Sequence, residues 1–211
     1  MDQDRIETLF ARDGGYLFAR WGRPLAPVVF GVDDASLATM KGAIEAVCAV
    51  SGHRMTGHDP EFGANLMFFF FRDWGELLDA PDLDRLVPDL AALVARLQAE
   101  DATQYRLFRF DAAGAIKAAF VFLRVGGALA EQPVEELALS QAVQVMLLWS
   151  DGAFAAQSPL ALAGGSVILR PEIAGLLRAA YDPVMPVAAS DPSHALRLAA
   201  RIEGGQRRVE T

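Results

Sequence analysis

The chain has 211 residues and a net charge of −8, and 53% of it is hydrophobic against 22% charged, which supports one sizeable core and excludes the disordered class. Its acidity and the lack of any basic run argue against nucleic acid and against an anionic membrane surface as partners. The longest apolar run, Leu66 to Phe71, is far short of the roughly 20 residues that span a bilayer. The opening Met1-Asp2-Gln3-Asp4-Arg5 lacks the basic-then-apolar pattern of a secretory signal, so a cytoplasmic protein is expected.

In chain order, residues 2–12 have the spacing of a short amphipathic helix (Ile6, Leu9, Phe10) stopped by Gly14-Gly15. Pro27 to Val32 reads as a strand. Asp33-Asp34 then offers N-caps to a helix over Ala35 to Val50, with Gly52 as its stop. Asn65 to Phe71 is a near-continuous apolar strand of the kind buried on both faces. Residues 74–79 and 84–99 read as helices. Tyr105 to Phe110 and Ile116 to Val125 flank the turn Asp111-Ala112-Ala113-Gly114 and form a hairpin. Pro133 to Trp149 is a strong helix, apolar almost all round and therefore buried. Residues 151–166, rich in Gly and Ala, read as a loop. Pro171 opens a helix to Tyr181, stopped by Asp182-Pro183. A last helix runs from Asp191 to Ile202, and Gly204-Gly205 frees a flexible tail over 204–211. Helices and strands mix around an antiparallel hairpin. The pattern predicts a single α+β domain over 1–211, its core at 20–203, with a mixed sheet packed against helices.

Few residues offer chemistry. On the helix over 133–149, Glu136, Ser140 and Gln144 recur every fourth residue along one stripe, and Asp151 falls near it if the helix extends that far. This stripe is the candidate polar site. A stripe facing solvent is the competing explanation. His53 and His58, followed by Asp59 and Glu61, are weak metal candidates in a loop, where such groups are more often solvated. His194 is expected at the surface. Cys48, the only cysteine, sits in an apolar helical stretch as a buried inert thiol. Arg106 and Arg109 alternate with aromatics as a solvated sheet face, and Arg178 and Asp182 form an i, i+4 pair. Neither Ser150-Asp151-Gly152 nor Gly164-Gly165-Ser166 fits a nucleophile elbow or a phosphate loop.

Several scattered segments resemble the bacterial proteins grouped as domain of unknown function 2927. They are Arg20-Trp21 with Pro24, Val50-Ser51-Gly52-His53 followed by Ala64-Asn65, Gln144 seven residues before Asp151, and Leu176-Leu177-Arg178 followed by Tyr181-Asp182-Pro183 and Met185. The resemblance covers roughly residues 20–203. It implies a zincin-like core, that of the zinc-metalloprotease-like proteins, and marks Arg178, Tyr181 and Asp182 as family-matching positions. The chain departs from the family where a His-Glu pair is usual on the central helix, having Leu139-Ser140 there. Zincin chemistry needs two imidazoles on one helical face and a Glu beside them.

The resulting expectation is a zincin-like scaffold without catalysis or cofactor. It would act as an interaction module for a protein partner or a second copy, consistent with a mean hydropathy of +0.23. Two alternatives remain open. One is a hydrolase using the stripe or the His53 and His58 loop. The other is a small-ligand binder using a cleft beside the hairpin and the central helix.

Overall fold

Helix α1 (Gln3–Leu9) is capped by the Asp2 side chain, which accepts from the Arg5 backbone N–H. Three two-residue strands follow: β1 (Ala11–Arg12), β2 (Gly15–Tyr16) and β3 (Phe18–Ala19). The structure is a computed structural model and describes residues 1–12 and 14–209. Strand β4 (Pro27–Phe30) leads through Gly31 into α2 (Asp34–Ser51). Gly31 has φ +83°, and a Cβ there would lie 2.0 Å from the Phe70 carbonyl oxygen, so only glycine fits. Asp33 accepts from Ser36 N–H at 2.7 Å, and Gly52 closes the helix with φ 73°.

Strand β5 (Leu66–Phe71) is followed by a 3-10 helix over Trp74–Leu78, then α3 (Leu83–Leu86) and α4 (Leu90–Ala99). One helix over 84–99 was expected. Pro88 splits it: the preceding Val87 is forced to an extended conformation, φ −118° and ψ 102°. The hairpin is β6 (Gln104–Phe110) and β7 (Ile116–Arg124). Then come α5 (Ala128–Glu131) and α6 (Val134–Met146).

Beyond α6 the chain departs from expectation three times. Helix α6 stops at Met146, and Leu147 is already extended, because residues 147 and 148 pair with the β3 region: Leu147 bridges Arg20, and Leu148 N–H donates to the Ala19 carbonyl. The loop expected to 166 holds a second hairpin, β8 (Leu160–Ala163) and β9 (Ser166–Leu169). Its turn is Gly164-Gly165, both at positive φ, the two-residue turn that matches strand twist. After α7 (Pro171–Ala180) and β10 (Ala188–Ala189), α8 runs from Ser193 to Val209, through the glycines expected to end it. The last two positions of the expected tail lie outside the described residues.

The central sheet has the order β4-β5-β7-β6, parallel except for the end strand β6, which runs antiparallel to β7. Side chains alternate between its two faces. Leu66, Phe68, Ala119, Val121 and Leu123 pack with α2, α6, α7 and α8 in the larger core. Ala118, Phe120 and Phe122 face the 3-10 helix, α3 and α4 in the smaller one. The fold is mixed α+β, with helices on both faces of a mixed sheet. Among the described residues no helix is long and apolar enough to cross a membrane.

Candidate functional site

Buried polar groups must find partners, so they show where a fold departs from pure packing. Among the described residues the buried polar ones are Ser51, Asp59, Asn65, Gln141 and His194. Three of them are local structure. Ser51 Oγ donates to the Cys48 carbonyl at 3.0 Å. Asn65 accepts from Ala26 N–H at 2.8 Å and donates to the Pro24 carbonyl and to Asp59 Oδ2. Asp59 also accepts from the Glu61 and Phe62 N–H groups, both at 2.9 Å. Desolvation pushes the Asp59 carboxyl up, but those bonds, the one from Asn65 and the Arg23 charge together hold it below the usual carboxylate range. The Asp59–Asn65 cluster therefore pins the loop between α2 and β5 and leaves no vacant acceptor for a ligand.

His194 overturns the surface expectation. It is 2% exposed, because the start of α8 docks beside β2 and β3. Its Nδ1 lies 2.7 Å from the Tyr16 hydroxyl, and its Nε2 is sealed without a partner. Burial drives its pKa down to about 4 and raises that of Tyr16.

Gln141 belongs to a different arrangement. The alternation of β6 sends Tyr105 and Leu107 to the smaller core, and places Gln104, Arg106 and Phe108 on the face toward α6. Arg106 is thus not on a solvated face. Its Nη2 donates to Gln141 Oε1 at 2.6 Å and to Gln104 Oε1 at 2.9 Å, and Gln141 Nε2 donates to the same Gln104 oxygen at 3.1 Å. Arg106 Nε is buried with no acceptor. Desolvation alone pulls the guanidinium down to about 10, still charged at neutral pH. Among the described residues no carboxylate forms an ion pair with it. Arg109, on the opposite face, donates to the Leu86 carbonyl at 2.8 Å.

The stripe on α6 lies beside this polar seam. Glu136, Ser140 and Gln144 are half-buried. Gln144 Nε2 donates to Ser140 Oγ at 2.9 Å, and Glu136 accepts from Gln132 at 3.1 Å. Asp151 does not join them. With α6 ending at Met146, it sits in an exposed turn and pairs with Arg12 at 3.0 Å. Gln141 carries no sign in the i, i+4 pattern. Its signal is a lone amide among apolar positions of a buried helix, facing a strand whose alternation puts an arginine inward.

Trp21, Trp149 and Tyr181 meet at the C-terminus of α6, whose last carbonyls have no helical partner. Trp149 Nε1 donates to the Val143 carbonyl at 3.1 Å, Trp21 Nε1 to Val145 at 2.8 Å, and the Tyr181 hydroxyl to Met146 at 2.7 Å. The Tyr181 ring lies 4.7 Å from that of His53 and under the Arg20 guanidinium at 5.4 Å. Arg20 donates to the Trp21 and Met185 carbonyls. These residues cap a buried helix end. Arg178 is exposed, and its expected pair with Asp182 does not form: Asp182 pairs with Arg201 at 3.0 Å instead.

The histidines are not brought together as metal ligands. His53 Nε2 donates to the Arg23 carbonyl at 3.0 Å, and burial lowers its pKa to about 4; His58 is exposed. Among the described residues no group of His, Cys, Asp and Glu is placed to hold a metal. Cys48 is buried, and desolvation pushes its thiol up to about 12. Surface clefts of about 550, 420 and 300 Å³ open beside Arg23 and His58, between α1 and Phe154, and between α4 and Tyr105. No residue of the stripe lines any of them. A scan against protein-family models and searches among curated proteins and solved structures return no match.

Proposed function

We propose that the chain is a non-catalytic scaffold, zincin-like in its core, that works by binding another protein chain. The observation that carries this reading is the composition of α6. A metal-dependent hydrolase of that fold needs His-Glu-x-x-His on its central helix. Counting from the Leu139-Ser140 departure, those positions are Leu139, Ser140 and Val143 here. Leucine and valine offer no lone pair to a metal, and a serine hydroxyl is too weak a base to replace a carboxylate. Val143 is also fully buried, so even a histidine there would face the core. The donor set for zinc does not fit.

The binding half of the proposal is supported by what the surface offers. The hairpin β8–β9 carries Leu162 at 78% exposure and Ile168 at 39%. At the end of the sheet, β6 is seven residues long and among the described residues pairs with no strand but β7, and an end strand can accept an added strand. The test has two arms. Equilibrium dialysis against zinc should give no stoichiometric binding that depends on α6. Light scattering across concentration should show association that Leu162→Asp reverses. Tight zinc lost in Gln144→Ala would overturn the non-catalytic half. A strict monomer that captures no partner would overturn the other.

A further inference from the structure

Among the described residues four arginines have a buried Nε without an acceptor: Arg12, Arg20, Arg106 and Arg124. Three are otherwise accounted for. Arg12 pairs with Asp151 and Arg124 with Asp101, and Arg20 donates to two backbone carbonyls and lies over the Tyr181 ring. Arg106 differs. Among the described residues its only acceptors are the side-chain amide oxygens of Gln104 and Gln141, which are neutral. A guanidinium presents five N–H donors in a planar fork, so most of its capacity is unused, and its charge is uncompensated.

Gln104 and Gln141 hold the fork rather than neutralise it. Gln141 is fixed by α6 and 2% exposed, and its own amide donates back to Gln104, which locks both side chains in one orientation. Gln104 is exposed, and Arg106 itself is only partly buried, so the site is reachable along the outer edge of β6 without opening the core. Along α6 the neighbours of Gln141 at Ser140 and Gln144 are neutral and hydrogen-bonded to each other. The nearest acid of that stripe, Glu136, lies one helical turn beyond Ser140 and is held by Gln132.

We propose that Arg106, held by Gln104 and Gln141, is a receptor for one carboxylate group. The ligand is a monoanion because its only counter-charge is a single guanidinium; with both Nη2 hydrogens held by the glutamines and Nε sealed, the Nη1 N–H groups are left to donate to a carboxylate oxygen. A phosphate would bring a second charge with no second cation to meet it. A small organic acid and an acidic side chain of another polypeptide present the same group. The site stands whether or not the chain recruits a protein partner.

The test uses the full chain with sodium acetate, sodium chloride and sodium sulfate at matched ionic strength. A capped Ala-Glu-Ala peptide and its Ala-Gln-Ala counterpart form the second arm. Acetate should raise the unfolding midpoint saturably by about 2–4 °C, a shift absent in Arg106→Met. In wild type, the Arg106 Nε–H cross-peak in a guanidinium-selective NMR spectrum should move with acetate. This keeps the proposal testable if the variant misfolds. Movement with acetate alone marks a small-acid site, and movement with the Glu peptide but not the Gln peptide marks an acidic side chain. Either outcome supports the proposal. A cross-peak that neither arm moves, an equal shift with sulfate, or equal stabilisation of Arg106→Met overturns it.

Discussion

Tyr181→Phe isolates one hydroxyl in the cap of α6. Phenylalanine keeps the ring that meets His53 and Arg20, and so preserves the packing. It removes the donor at 2.7 Å from the Met146 carbonyl. That carbonyl belongs to the last turn of a helix whose following residue, Leu147, is extended and fully buried, so no continuing helix replaces the bond. An acceptor stripped of its partner in such a place costs about 1–3 kcal/mol, more than the net value of an ordinary exchanged hydrogen bond. In a chain of this length that lowers the unfolding midpoint by about 2–4 °C for each kcal/mol. Urea titration followed by tryptophan fluorescence measures it, since Trp21 and Trp149 donate to the same helix end. The slope should be unchanged and the midpoint lower. Arg178→Ala, at an exposed position nearby, should stay within about 0.5 kcal/mol of wild type. A Tyr181→Phe chain as stable as wild type, or an Arg178→Ala chain equally weakened, would refute the capping role.

Stability should also depend on pH through two histidines. His53 and His194 have folded pKa values near 4 against 6.5 unfolded, so the unfolded chain takes up protons first, and stability falls as pH drops from about 6.5 toward 4; urea midpoints at pH 7 and pH 5 would show it, and equal midpoints would contradict it. Gln141→Leu strips Arg106 of one acceptor and should cost about 1–3 kcal/mol, whereas adding Arg106→Met should recover wild-type stability or exceed it. Cys48 should resist a thiol reagent at pH 8 in the native chain and react on unfolding, because its thiol is buried and its pKa is near 12. Gly31→Ala forces a side chain into positive φ and against the Phe70 carbonyl, and should cost at least about 1–3 kcal/mol or prevent folding, read by circular dichroism.

The elements that repeat their signal along many residues were legible in the sequence. Helix α2 has apolar spacing, an aspartate cap and a glycine stop. The β6–β7 hairpin has alternation on both sides of a turn. Where one residue outweighs periodicity, reading the pattern alone fails. Pro88 breaks a continuous apolar face, and Gly164-Gly165 turns a hairpin inside a segment of loop-like composition. The end of α6 illustrates a third case. Its apolar spacing continues through Trp149, but pairing of residues 147 and 148 with the β3 region wins, and that contact spans more than a hundred residues of sequence. His194 is buried for the same kind of reason, by a strand segment at the other end of the chain.

The polar seam was illegible for a related cause, and that cause bears on function. The i, i+4 pattern on α6 points to Glu136, Ser140 and Gln144, but the buried polar residue is Gln141, off that stripe. Gln141 acquires meaning only opposite Arg106, 35 residues earlier. Stability alone does not select this pair. Phe108, two residues along on the same face of β6, packs against the core, so an apolar side chain suits that face. An apolar residue at 106 would leave neither an uncompensated cation nor an Nε without an acceptor. At two other places the fold meets its buried polar demands closely: three side-chain donors cap one helix end, and four donors surround Asp59. Among the described residues the exceptions are the buried Nε of Arg12, Arg20, Arg106 and Arg124 and Nε2 of His194, and of these Arg106 is held only by two neutral side-chain amides. Such exceptions concentrate where binding, rather than folding, sets the choice of residue.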